Sequence, residues 1–362
     1  MDSLTQAVLG AAVAVAILPA SRARRAIVYG AVLGTLPDLD ALIYFANPVD
    51  SFVYHRSATH SLLVLSVCAP LLFWLLRRFD GALKRDQTRW LSAFWLALIT
   101  HPLLDWFTNY GTQLFWPIVD TPFALSSVFI IDPIYTLPLL IASVLAYRSK
   151  TLNTRQYGRR ACLVALAFSQ AYLGWTLIAQ QWIRTRVMAF ESAQAQDVVV
   201  YAAPLTSLVY RVLIRETDPQ SAKVRHRETF VSVFADLPQR PPRWKSIPVY
   251  QKQNGIFDPD FVGGSSWATP ERLQAIEKIP DFQRLRAFSQ GFYTLKLDAQ
   301  KKLVFSDMRM GHDPNYVFNF EIAKLTSDGS VQAVASTPRP VERPDWVVAI
   351  LVLRLIYTPS TK

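Results

Sequence analysis

Cysteine is nearly absent, with two residues in 362. That excludes a disulfide-dense scaffold and a multi-Cys zinc fold. Charge is scarce as well. Asp, Glu, Lys and Arg make up 18%, against about 25% in an average soluble domain, while hydrophobic residues reach 51%. This combination excludes a disordered or fibrous chain and argues against an ordinary soluble enzyme. Histidine is rare, at five residues, so the position of each carries information. Acidic residues are outnumbered, 27 against 38 Lys and Arg, which leaves a formal net charge of +11. Such an excess suits either nucleic acid or a membrane, and its distribution along the chain separates the two. At roughly 150 residues per domain the length allows two units.

What the chain does have is a first half of long apolar runs. Residues 61–76 and 161–183 carry no charge, and 121–147 carry only Asp132. A spanning helix needs about 20 mainly apolar residues. The pattern predicts six, at 3–20, 26–46, 59–77, 90–108, 126–147 and 161–182. The opening Met1-Asp2 lacks the Lys or Arg of a signal-peptide n-region. Thirteen Lys and Arg lie in alternate connections, Arg22–Arg25, Arg77–Arg89 and Arg148–Arg160. The other two connections, 47–58 and 109–125, hold only Arg56. Short basic loops stay in the cytoplasm, so the N-terminus, these two loops and everything after residue 183 are expected outside. Basic residues placed as helix flanks do not form a nucleic-acid stripe. The expected partner is the bilayer, with no nucleic acid.

The composition changes near Ile183. Val198–Tyr201, Ser207–Ile214, Phe230–Phe234, Phe292–Leu297, Leu303–Phe305 and Tyr316–Ile322 read as short strands. The expected architecture is therefore mainly α: a polytopic membrane bundle of about six helices over 1–183, then a small extracytoplasmic α+β or β-rich domain over 184–345. The apolar segment and tail 346–362 contain Arg354 and are too short to span. Trp74, Trp90, Trp95, Trp106 and Trp116 read mostly as interfacial anchors.

Ionisable groups inside membrane segments are costly and mark functional sites by default. Here they follow a pattern. Asp38 and Asp40 lie late in the second apolar run, and His55, Arg56 and His60 open the third. His101 and Asp105 lie late in the fourth, Asp132 early in the fifth, and Asp2 at the chain start. With alternating helix directions, all of them fall toward the outer face. His101 and Asp105 are i,i+4 and share one helix face. Asp38 and Asp40, at i,i+2, fit a frayed helix end that Pro37 turns. Imidazole with carboxylate is a ligand set for Zn, and also for Mn or Fe. Features taken singly have plain structural explanations, a helix cap for Asp38-Leu39-Asp40 and a kink at His101-Pro102, and Asp132 reads as a second-layer partner that fixes an imidazole. Their convergence points to a divalent metal, with Zn favoured. His226 and His312 stand apart from this set.

Met1-Asp2-Ser3-Leu4-Thr5-Gln6, Leu36-Pro37-Asp38-Leu39-Asp40, His55-Arg56, Thr59-His60-Ser61-Leu62, His101-Pro102-Leu103-Leu104-Asp105 and Leu114-Phe115-Trp116-Pro117 together resemble the YdjM-like family. Its members are prokaryotic multi-pass inner-membrane proteins described as metal-dependent hydrolases. The resemblance covers about residues 1–150. It implies a metal site using Asp38, Asp40, His55, His60, His101 and Asp105. Gln6 stands where some relatives have His, and Ser57-Ala58 where Gly and an aromatic are common.

The resulting expectation is a membrane-embedded hydrolase at the periplasmic face. Asp38 and Asp40 complete the site or act as base, and Arg56 positions the anionic group of an amphiphilic substrate such as a lipid phosphoester. Two alternatives remain. One is an ion-coupled transporter, which the scarcity of ionisable residues in the inner helix halves disfavours. The other is a non-catalytic membrane anchor with a structural metal.

Overall fold

The computed structural model describes residues 1–191, 197–217, 224–235, 242–248, 250–252 and 267–339. The helical half comprises α1 (Ser3–Ile17), α2 (Ala23–Thr35), α3 (Pro48–Tyr54), α4 (Leu62–Leu76), α5 (Gln87–Trp106), α6 (Pro133–Arg148) and α7 (Leu152–Glu191). Helix α1 begins at Asp2, whose carboxylate accepts from the Thr5 amide at 3.0 Å. That is a cap satisfying one of the unpaired N–H groups of a first helical turn. Residues Val8 to Val15 are buried all round, because α2, α5, α6 and α7 all pack on α1.

Glycine lets α1 and α2 meet backbone to backbone. A Cβ on Gly10 would lie 2.2 Å from the Gly30 carbonyl oxygen, and one on Gly34 2.4 Å from that of Gln6. Gly30 and Gly34 form the small-xxx-small spacing of closely packed membrane helices.

The helices differ from the expected spans for local reasons. The second ends at Thr35 instead of 46, since Pro37 lacks a donor and Leu36–Leu42 tightens into a 3-10 turn. The third starts at Leu62, capped by Ser61, after a separate 3-10 turn at Ala58–His60. The fifth starts at Pro133 beneath the Asp132 cap. The sixth is longer than expected, and its last turns leave the helical core. Ala179, Ile183 and Val187 pack with Val198, Val200, Tyr210 and Val212.

Helices α1 and α6 have 15 and 16 residues, about 23 and 24 Å long at 1.5 Å per residue. A hydrocarbon core is about 30 Å thick. Among the described residues one helix, Leu152–Glu191, is long and apolar enough to cross a membrane. There are two if the bent pair Pro48–His60 and Leu62–Leu76 forms a single span. The six-span expectation is thus reduced to a helical first half with at least one membrane-competent helix. Trp90 is wholly buried beside Tyr29 and Phe94, so it is a core residue and not an interfacial anchor.

The C-terminal portion is built on two sheets. β1 (Val198–Ala202), β2 (Val209–Thr217), β3 (Val224–Ser232) and β4 (Lys245–Pro248) form an antiparallel sheet in that order. The second sheet has the order β11-β10-β7-β6-β5, comprising β5 (Tyr250–Lys252), β6 (Tyr293–Leu297), β7 (Lys302–Asp307), β10 (Asn319–Leu325) and β11 (Val331–Pro338). Only β5 and β6 pair in parallel. A small hairpin of β8 (Gly311–His312) and β9 (Asn315–Tyr316) places His312 at the end of β8, paired with Asn315. Helices α8 (Pro270–Glu277) and α9 (Pro280–Phe288) precede β6. The core of the second sheet takes in Val49 and Phe52 of α3 and Tyr110 from the loop after α5, alongside Leu285, Phe288 and Phe320. The apolar run 346–357 lies outside the described residues.

Candidate metal centre

Four side chains from three separate segments meet at one point. The 3-10 turn after α2 brings Asp38, the turn before α4 brings His60, and α5 brings His101 and Asp105 on one face. One donor atom from each lies within 4.8 Å of all the others. His60, His101 and Asp105 are fully buried, whereas the Asp38 side chain is 18% exposed.

The ring nitrogens are oriented from behind. His101 Nδ1 donates to the Gly34 carbonyl oxygen at 2.6 Å, which aims Nε2 into the cluster as the atom open to a cation when the ring is neutral. His60 Nδ1 lies 3.0 Å from Thr59 Oγ1, and that hydroxyl donates to Asp40 Oδ2 at 2.9 Å. With that hydroxyl committed to Asp40, His60 Nδ1 is the donor to it, and His60 Nε2 faces the cluster. This is the second-layer arrangement that fixes ligating imidazoles.

The two Nε2 atoms face each other at 3.1 Å. Asp38 Oδ1 lies 3.6 Å from His60 Nε2 and 3.3 Å from His101 Nε2. Asp105 Oδ2 lies 3.4 and 3.5 Å from the same two atoms. Metal–donor bonds of about 2.0–2.1 Å at tetrahedral angles place donors about 3.3 Å apart. All five separations fall within 0.3 Å of that edge. Two imidazole nitrogens and two carboxylate oxygens this close form a donor set that could hold a divalent ion.

His55 and Asp40 lie outside this group of four. Asp40 Oδ1 is 3.1 Å from His55 Nδ1, and Asp40 Oδ2 accepts from the Arg56 amide at 3.1 Å. Asp38 and Asp40 thus flank opposite edges of the His60 ring. His55 is 29% exposed. Arg56 is buried, with its Nε 3.2 Å from Asp105 Oδ2 and its Nη1 donating to Thr108 at 3.0 Å. It faces the ligand cluster and not an open anion pocket. Gln6 donates to Asp105 Oδ1 at 3.1 Å, and the Met1 amino group contacts the same oxygen. Asp132 does not reach the cluster. It caps α6 through the Ile134 and Tyr135 amides and accepts from the Tyr172 hydroxyl at 2.7 Å. Thr59, Thr108 and the Gly34 carbonyl are site components that motif reasoning missed. The Gly30–Gly34 spacing was the available signal for the last.

The helical first half thus carries a His/Asp cluster that is a candidate metal centre. The chain belongs to the YdjM inner membrane protein family, which matches residues 1–183, just over half its length. That membership supports location in the inner membrane. No curated protein and no solved structure matches the chain.

Proposed function

We propose that Asp38, His60, His101 and Asp105 hold a divalent cation, Zn before Mn or Fe, and that the protein is a membrane-embedded hydrolase of amphiphilic esters, phosphoesters included. The observation that carries this reading is the convergence of the four donors, with five separations of 3.1–3.6 Å, beside a partly exposed His55 backed by Asp40. A divalent cation at this position supplies Lewis-acid activation for hydrolysis. The protein's own groups do the rest. His55, oriented by Asp40, is placed to take and return a proton at its free Nε2. Arg56 and Gln6 hold Asp105 in its ligating pose. In this reading Asp40 orients His55 and His60, and Arg56 organises the cluster without receiving substrate. The partly exposed members, Asp38 and His55, adjoin solvent-facing apolar residues. Leu42 and Tyr44 are 80% and 89% exposed, and Leu39 and Tyr54 flank the acids and His55. That rim suits a substrate with an acyl or prenyl tail. The basic connections support a multi-pass topology with the site and the C-terminal portion on the periplasmic side.

A second reading also has an observation behind it. Four protein donors can close a coordination sphere, as in structural zinc sites, whereas catalytic sites keep a position open. A non-catalytic anchor would then remain. One experiment separates them. Elemental analysis of detergent-purified protein is paired with hydrolysis of phosphodiester lipids in vesicles. Wild type is expected to carry metal and turn over, His60→Ala and His101→Ala to lose both, and His55→Ala to keep metal and lose turnover. Negligible metal in wild type defeats both readings, and metal without turnover leaves the structural one.

A further inference from the structure

The segment carrying His55 and Arg56 is held from two sides. The loop after α5 grips it through backbone contacts: Gln113 N donates to the Arg56 carbonyl at 3.0 Å, and Gln113 Nε2 to that of Val53 at 3.2 Å. The C-terminal portion holds the other side. Val49 is fully buried and Phe52 is 5% exposed, and both lie in the core of the second sheet. The Phe52 ring centroid is 4.8 Å from Phe288, 4.6 Å from Phe318 and 5.2 Å from Phe320. Polar ties reinforce this packing. Asn47 donates to both oxygens of Asp281 at 3.1 Å, and Arg284 pairs with Asp50.

Tyr110 links the two sides. Its hydroxyl donates to the Phe52 carbonyl at 2.5 Å. Its ring lies 5.5 Å from Phe288 and 5.6 Å from Phe318. On its other side it meets the His55 ring edge-on at 5.3 Å and the Arg56 guanidinium at 5.1 Å. Arg309, locked by Asp307 at 2.7 Å, donates to the Tyr110 carbonyl at 3.4 Å. One aromatic side chain therefore touches both the periphery of the metal centre and the far portion of the chain.

We propose that the C-terminal portion is a positioning element for the site, acting through Phe318, Phe52 and Tyr110 to fix the pose of His55. Tyr110 touches His55 directly but reaches the four cation donors only at one remove, through Arg56 on Asp105 and the His55 ring beside His60. Loosening the cluster should therefore move His55 first and leave the cation bound. This assignment rests on the hydrolase reading only for its catalytic consequence; the geometric claim stands separately.

The test labels histidines in the full-length protein with diethyl pyrocarbonate and reads each site by mass spectrometry. Phe318 is only partly buried, so Phe318→Ala removes a ring from Phe52 and Tyr110 without emptying the sheet core. His55 labelling is expected to change at least threefold, with His312 labelling and metal content unchanged. Phe318→Tyr is expected to restore the wild-type rate. Tyr110→Phe, which loses only the bond to the Phe52 carbonyl, should give a smaller change of the same sign. Phe234→Ala, at a 76% exposed position in the turn after β3, should give none. If Phe318→Ala unfolds, seen as labelling of the buried His226, then Phe318→Leu and Tyr110→Phe decide. Wild-type His55 labelling in folded variants overturns the proposal, whether or not the protein proves to be a hydrolase. Where turnover is measurable, loss of about 10- to 100-fold in kcat is expected, the scale of a misplaced reacting group. Turnover absent in wild type, together with altered His55 labelling in the variants, would refute the hydrolase reading alone.

Discussion

Replacing Gly34 with Ala tests how helix packing builds the metal centre. In an exposed helix this change stabilises by roughly 1 kcal/mol. Here the added Cβ would sit 2.4 Å from the backbone oxygen of Gln6, and no side chain can turn aside to make room. Ordinary contact begins near 3.4 Å, so the α1–α2 crossing must open by about 1 Å, and overpacking of this kind costs about 1–3 kcal/mol. The same residue's carbonyl accepts from His101 Nδ1 at 2.6 Å. A shift of that size stretches or breaks the bond that orients the His101 ring. Losing such a second-layer contact lowers metal affinity about 10- to 100-fold, or roughly 1.4–2.8 kcal/mol. The assay is competition with a chelating dye in detergent, with helix content followed by circular dichroism. Gly174→Ala is the control, because a Cβ there meets nothing within 4 Å. Wild-type metal affinity in a folded Gly34→Ala protein would show that α1–α2 packing does not shape the site.

Further outcomes are expected. Metal should raise the unfolding temperature by mass action, with about 2.7 kcal/mol gained at a hundredfold excess over Kd, and chelation should reverse it in wild type but not in His101→Ala. His226 is buried, and burial together with the Arg215 cation lowers its pKa to about 4. The unfolded chain, with a pKa near 6.5, binds the proton first. The stability is therefore fully present above about pH 6.5 and falls as pH drops toward 4, by on the order of 3 kcal/mol. Urea unfolding of the C-terminal portion between these pH values should show that slope, and His226→Phe should flatten it. Asp132→Ala removes the α6 cap and orphans the Tyr172 hydroxyl. A loss of roughly 2–3 kcal/mol is expected in thermal unfolding, with metal content unchanged because Asp132 contacts none of the four donors.

Much of the site was legible because chemistry and spacing are local properties. His101 and Asp105 are one helical turn apart, so sequence alone puts them on one face. Pro37 marks where α2 must stop, which let Asp38 and Asp40 be read as a turn. Strands β1, β2, β6, β7 and β10 announced themselves by β-branched and aromatic runs, whereas β4 and β5 did not. The helix spans were less legible. Pro37, Pro133 and the turn at Ala58–His60 shorten three apolar runs, and hydropathy does not register a helix end inside an apolar stretch.

The sequence by itself determined that rare imidazoles and carboxylates lie in otherwise uncharged segments. Their desolvation cost demands partners wherever the chain folds. Only the tertiary structure decided which partner each one finds. It sets His60 and His101 nitrogen to nitrogen, moves Asp40 behind the ring, turns Arg56 onto Asp105, and leaves Asp132 as a cap. Those choices depend on the backbone contact of Gly10, Gly30 and Gly34 and on the aromatic cluster at Phe52. Both are meetings between distant parts of the chain, set by shape and packing, which the identity of any single residue does not encode.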